Sequence, residues 1–164
     1  MSVREVSVEF VPFELKGILR RLLQFYLYDF SEIDPENIRM GPDGEFPYRY
    51  LDHYWAADQG EERHPYFIRA DGELAGFALV RKVNGVFVMS EFFVMRRFRR
   101  EGVGERAAGA VFGRHPGRWI VQEVAPNVDA QAFWRRVIAK ETGGAFDEER
   151  SPRGVTQRFE VGVS

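Results

Sequence analysis

The sequence contains no cysteine. That removes disulfides, thiolate metal sites and a cysteine nucleophile together, and it agrees with a cytoplasmic protein. No apolar run approaches the roughly 20 residues of a membrane span. The opening stretch, MSVREVSVEF, has neither a long apolar core nor a cleavage site, so neither export nor a membrane partner is expected. The three histidines, His53, His64 and His115, are scattered, with none at i, i+4 from another, so no metal is expected. There is also no G-x-S-x-G elbow to carry a serine nucleophile.

What remains is an ordinary globular composition with a heavy aromatic content: 45% hydrophobic, 29% charged and 15 phenylalanines in 164 residues. A chain of this length predicts one domain over 1–164, burying roughly 70% of the surface its unfolded form exposes. The net charge of −2 is unevenly spread. Between Asp29 and Glu62 ten acids, Asp58 among them, face two arginines, a net −8; between Arg96 and Arg118 seven arginines face two glutamates, a net +5. One part suits a cation and another an anion, unless these are two solvated faces of opposite sign.

Residues 4–12 alternate like a strand that Pro12 ends. Residues 13–30 place Leu15, Ile18, Leu19, Leu22, Leu23 and Tyr26 at helical spacing, despite Gly17. Residues 31–49 read as a charged loop, and 48–59 as a short second helix. The runs 64–70, 73–83 and 86–95 are strand-like. Asp71-Gly72 and Asn84-Gly85 separate them, and both dipeptides favour tight hairpin turns, so an antiparallel meander over 64–95 is predicted. A helix from Gly102 to Arg114, a strand over 118–124, a helix with Ala130, Phe133, Trp134, Val137 and Ile138 on one face, and two weaker strands complete the chain.

The segment RRFRREGVGERAAGAVF, residues 96–112, joins five arginines to a Gly-x-Gly at the start of a helix. Gly102-Val-Gly104-Glu-Arg-Ala107 matches a dinucleotide fingerprint, with Glu123 further on. That fold needs parallel strands and a tight strand-to-helix turn. Here MRRFRRE intervenes after hairpins, which argues against it. Nucleic-acid binding would use the arginines on phosphates. The net charge is negative, however, and no helix-turn-helix, zinc finger or stacking platform accompanies them, so no nucleic-acid partner is expected. The third reading is a main-chain diphosphate site. Backbone N–H groups of 99–104 can turn inward, Gly102 and Gly104 remove Cβ atoms that would hold oxygens away, and the helix start adds its partial positive charge. A glycine-rich turn with solvated arginines is the plainer alternative.

Arg99-Arg-Glu-Gly102-Val-Gly104 follows [Q/R]-x-x-G-x-[G/A], and EFFVMRRFRREGVG followed by WIVQEVAPNVDAQAFWRRV resembles the GNAT acetyltransferase superfamily over residues 86–142, most closely its polyamine-acetylating branch. The resemblance implies a mixed α/β (α+β) fold: a mostly antiparallel, twisted and splayed sheet of six or seven strands flanked by about four helices. It implies N-acetyltransfer from acetyl-CoA by direct attack of an amine, both substrates bound at once. On this resemblance the cofactor contacts are Phe93, Val94, Met95, Arg99, Arg100, Glu101, Gly102, Val103, Gly104, Glu105, Asn127 and Phe133. The Phe93 and Val94 backbone, where the fourth strand of the family bulges, serves the oxyanion.

Glu91 is the first candidate base. Alternation puts Phe87, Met89, Glu91 and Phe93 on one face, and an apolar row raises a carboxyl toward neutrality; a structural carboxylate paired with an arginine is the alternative. Glu123 is a second candidate. Asn127 is read equally as a pantetheine contact or a plain helix N-cap. Trp134 stands where the family has a tyrosine acid, and an indole N–H cannot serve as one. Acids and aromatics together suit a small cationic amine, with Tyr28, Asp29, Tyr54 and Glu91 as substrate contacts, although these tyrosines are equally core residues. A protein lysine or N-terminal amine is the rival acceptor, a non-catalytic CoA-binding module the rival function, and a homodimer is left open.

Overall fold

The hairpin dipeptides adopt the backbone that their sequence predicts. Asp71 and Gly72 have φ of 49° and 82°, Asn84 and Gly85 of 50° and 79°, the positive-φ pairs that match the twist of the flanking strands. They join β2 (Glu61–Ala70), β3 (Glu73–Val83) and β4 (Val86–Val94) into an antiparallel meander. The computed structural model describes residues 2–56 and 61–162; Asp58, one of the ten acids, and the end of the expected 48–59 helix lie outside them.

β1 (Val6–Phe10), β5 (Gly117–Val124), β6 (Phe146–Ser151) and β7 (Gly154–Val161) complete a seven-stranded sheet in the order β1-β2-β3-β4-β5-β7-β6. Every neighbour pair is antiparallel except β4 and β5. Those two pair in parallel only at Phe87↔Trp119 and Val88↔Ile120, then part. The cause is local. The β3–β4 register steps from Val80↔Met89 to Leu79↔Glu91, leaving Ser90 as an extra residue, and such a bulge bends its strand away. The sheet is open where β4 and β5 diverge.

Among the described residues the flanking helices number three, consistent with the expected fold: α1 (Lys16–Ile33), α2 (Val103–Arg114) and α3 (Val128–Thr142). In the 48–59 stretch, expected as a short second helix, the described residues form a 3-10 turn over Leu51–Tyr54. No described helix is long and apolar enough to cross a membrane.

The sheet has a core on each face. α2 and α3 pack Ala107, Val111, Phe112, Val137 and Ile138 against one side, together with Phe87 and Trp119. α1 packs Leu19, Leu22, Leu23 and Leu27 against Phe67, Phe77 and Leu79 on the other. The α1 stripe is thus narrower than its spacing suggested. Leu15 belongs to the preceding 3-10 turn, and Ile18, turned about 100° from Leu19, stays over a third exposed.

Candidate active site

The bulge at Ser90 reverses the expected alternation of β4. Phe87 and Met89 enter the core under α2 and α3, but beyond the extra residue Glu91 and Phe93 face α1. Glu91 therefore does not share a row with Phe87 and Met89. Its Oε1 accepts a hydrogen bond from the Tyr26 hydroxyl of α1 at 3.1 Å, and the Tyr48 hydroxyl reaches it from the 34–50 loop. That loop is held by a reciprocal pair at 2.8 Å each: the Gln24 side-chain amide donates to the Phe46 carbonyl, and its oxygen accepts from the Phe46 N–H.

Burial pushes the Glu91 carboxyl up to about 7, against the two tyrosine hydroxyls and the Arg81 charge, which pull it down. Burial likewise raises the Tyr54 phenol to about 12 and those of Tyr26 and Tyr48 further. These tyrosines are neutral donors near pH 7. Arg81 donates from Nε to the Ser90 hydroxyl at 2.9 Å, fixing the bulge from the neighbouring strand.

Two cavities meet at this carboxylate. The first, about 480 Å³, occupies the gap between β4 and β5; Glu91, Glu123, Trp134 and Asn127 are among its walls. The second, about 360 Å³, lies between α1 and the 38–50 loop. Tyr26, Phe30, Tyr48, Tyr50 and Glu91 line both. Across the gap Glu123 is buried beside Gln157, whose amide donates to its Oε1 at 2.9 Å. Burial pushes Glu123 up to about 7; the Gln157 hydrogen bond and Arg135 pull it down, and Glu148 adds a like charge that raises it.

The edge of β4 facing this gap presents main-chain groups. The Met95 N–H donates to the Ala75 carbonyl at 2.8 Å. In the same register Phe77↔Phe93 is a hydrogen-bonded pair, while Phe92 and Val94 direct their backbone groups the other way, toward the gap. Val94 thus fits an oxyanion or cofactor role. Phe93 and Met95 do not, because their amides belong to the ladder, and the family-type bulge expected at Phe93–Val94 sits at Ser90 instead.

Next comes the loop into α2. Arg100 and Gly102 have φ of 67° and 76°, a left-handed pairing that curls successive N–H groups toward a common centre. The helix start has no side-chain cap, and among the described residues no acceptor takes the amides of 100–105. Free main-chain N–H groups at a helix start are of a kind that suits an anion.

The arginines and glycines divide their roles differently from the expectation. Arg99 is committed: Nε donates to the Val94 carbonyl and Nη2 to Asp29, each at 2.8 Å. Arg96 also pairs with Asp29. Burial would raise the Asp29 carboxyl, but these two guanidiniums outweigh it and hold it low. Asp29 is thus a strut between α1 and the loop, and it lines neither cavity. Arg100 is exposed and has no ion pair among the described residues.

A Cβ at Gly104 would sit 3.2 and 3.3 Å from Phe133 ring carbons. This glycine admits α3 close to α2, and Phe133 is that packing partner, tilted against Phe92 and edge-on to Trp134. Val103 is buried, Glu101 is exposed and Glu105 pairs with Lys140 at 3.2 Å. Asn127 caps α3, its side chain accepting from the Ala130 N–H at 3.3 Å, while also facing the gap. Tyr28 is 65% exposed and lines neither cavity; Tyr54 does line the first.

Sequence reasoning misses Arg81, and it reaches Tyr26 and Tyr48 only as aromatics, not as donors to Glu91. Tertiary contact from α1, a loop and β3 brings the three to Glu91, and no spacing in the sequence encodes that. Part of the acid-rich segment is neutralised, with Glu45 on Arg20, Asp52 on Lys16 and Glu61 on Arg63. Among the described residues no group of three or more His, Asp or Glu side chains is placed to hold a metal.

Solved structures share this fold. An acetyltransferase from Thermus thermophilus superposes with a TM-score of 0.68 at 16% identity, over 98% of this chain and all of that one. The Microcin C7 self-immunity acetyltransferase MccE, in complex with acetyl-CoA and AMP, gives 0.62 at 12% identity over 96% and 93%. RimL, the ribosomal L7/L12 α-N-protein acetyltransferase in complex with coenzyme A, gives 0.61 at 10% identity over 95% and 94%. No curated protein matches the sequence. The model of the GNAT acetyltransferase family matches residues 19–138, a span that holds the bulged β4, the amide-lined loop and both cavities. The chain belongs to the GNAT family of acetyltransferases.

Proposed function

We propose that the protein moves the acetyl group of acetyl-CoA directly to the primary amine of a small cationic acceptor, and that residues 1–164 act as one catalytic domain. The observation that carries this is the place of Glu91, in the wall common to two cavities: one fills the gap between β4 and β5, the other runs under α1. A carboxylate at such a junction meets both partners of a ternary complex.

The main-chain amides of 100–105 suit a diphosphate, and two fold neighbours are structures in complex with coenzyme A or acetyl-CoA. The outward amides of Phe92 and Val94 suit the peptide-like pantetheine arm as an added strand would. Bound acetyl-CoA supplies the activated thioester carbonyl. Glu91, held near neutrality, takes the proton that the acceptor ammonium must lose before its nitrogen can attack. The nitrogen–carbon bond forms as the carbon–sulfur bond breaks. The Val94 N–H serves the transient oxyanion. Trp134 packs edge-on against Phe92 and gives no proton. A thiol with an ordinary pKa near 8.5 departs as thiolate without a dedicated acid, and it takes up the second proton that the nitrogen sheds on becoming an amide.

A protein N-terminus is the rival acceptor, because the RimL neighbour acts on one. The test is thiol release from acetyl-CoA across small amines, N-terminal peptides and lysine peptides, with calorimetry of CoA binding alongside. Turnover fastest on small amines supports the proposal. Tight CoA binding without turnover on any amine identifies a non-catalytic CoA module instead.

A further inference from the structure

The second cavity has a composition that narrows the acceptor. Its floor and walls are Leu27, Phe30, Ile38 and Pro47, with the rings of Tyr26, Tyr48 and Tyr50 completing them. Its one carboxylate is Glu91, at the junction with the first cavity. Its one fixed cation is Arg49, with the guanidinium carbon 4.8 Å over the Tyr50 ring and Nη2 donating to the Tyr50 hydroxyl at 2.5 Å. We infer that the acceptor is a monoamine on an aromatic or apolar body, its nitrogen at Glu91 and its body in this second cavity. This rests on the reading of Glu91 as the amine's partner.

Charge and solvation both argue for a single ammonium. An ammonium near Glu91 gains a carboxylate and the faces of flanking tyrosines, the two groups that best replace its water. A second ammonium further along the same molecule would leave water for a wall of leucine, isoleucine, proline and aromatic carbon, with Arg49 as the nearest fixed charge. The acids that could have served it are elsewhere: Asp29 on Arg96 and Arg99, Glu45 on Arg20, Asp52 on Lys16. Among the described residues, none of the acids of the 29–62 segment lines either cavity. An apolar body instead gains the burial that these walls offer. At about 360 Å³ the space is within the roughly 300–1,000 Å³ of small-molecule pockets.

Thiol release from acetyl-CoA is measured with 2-phenylethylamine, ethylamine and spermidine as acceptors, beside a short peptide with a free N-terminus. We expect kcat/KM for 2-phenylethylamine to exceed those for the others by at least about tenfold, the worth of burying one ring. Ile38→Trp, which fills the half-buried wall, and Tyr50→Ala, which removes a ring from the exposed mouth, should each shrink the 2-phenylethylamine to ethylamine ratio severalfold. A preference for spermidine or the peptide overturns the inference and leaves acetyltransfer standing. If no amine is acetylated, calorimetry of 2-phenylethylamine on CoA-saturated protein decides. Binding that Ile38→Trp abolishes keeps the pocket assignment while acetyltransfer fails; no binding overturns the inference as well.

Discussion

Glu91 on β4 and Glu123 on β5 stand on opposite lips of the same gap, and burial lifts both carboxyls to about 7. Their surroundings differ. Glu91 has two tyrosine hydroxyls and an arginine to stabilise its anion, and it borders two cavities. Glu123 has one amide donor, and its Oε2 is buried without a partner among the described residues, as is the Oε1 of neighbouring Gln157. Glu123 thus has few donors for its charged form, and burial favours its neutral one. A raised carboxyl is therefore not by itself a base. What distinguishes the base is a supply of donors for its charged form and a path to substrate.

The sharpest way to break this contrast is to neutralise each carboxylate in turn. Glu91→Gln should lower kcat/KM at pH 7 by about 100- to 1,000-fold, the usual worth of a general base, with CoA affinity unchanged by calorimetry. Glu123→Gln should leave the rate within about threefold. Equal losses would erase the distinction. The wild-type log(kcat/KM) should climb as pH rises through about 7 and level off above it, because only ionised Glu91 accepts a proton.

Stability should reverse the ranking. A carboxyl raised in the folded state contributes stability that is fully present below the ordinary carboxylate range and is lost as pH climbs through about 7. Glu123→Gln keeps the neutral form at every pH and can donate to an orphan acceptor. It should therefore gain about 1–2 kcal/mol at pH 8 over wild type, seen as a higher Tm, and little at pH 5. An equal gain at both pH values would mean that Glu123 is not neutral in the native protein.

A smaller effect tests the donors themselves. Tyr48→Phe removes a hydrogen bond that pulls Glu91 down, so the midpoint of the rate profile should move up by about half a pH unit. The Tm difference between Glu123→Gln and wild type should not move.

Most of the fold is legible because its signals are local. β3 spans the run that alternation marks, and the two Asx-Gly turns fix their hairpins by backbone preference alone. β7 and the two C-terminal helices fall within a residue or two of their sequence patterns. The site is legible in part. Glu91 stands out in the sequence for its apolar flanks, and it does lie at the cleft. Simple alternation gives the wrong reason, because one unpaired serine turns the rest of β4 over. The hairpin code of Asp71-Gly72 and Asn84-Gly85 has no counterpart for a bulge, whose position is settled by how β3 and β5 compete for the same strand. The charged segments mislead similarly. By sequence Asp29 suits a cationic ligand and Arg99 an anionic one, yet 70 residues apart they bind each other.

The sequence by itself determined the antiparallel meander and most of the order of strands and helices, because dihedral preference and hydrophobic period act within a few residues. Only the tertiary structure decided which face Glu91 occupies, which arginines remain available to a ligand, and that Tyr26 and Tyr48 should flank the base. Those outcomes depend on packing α1 and a distant loop against a bent strand, and burial and pairing across the sheet have no sequence period to announce them.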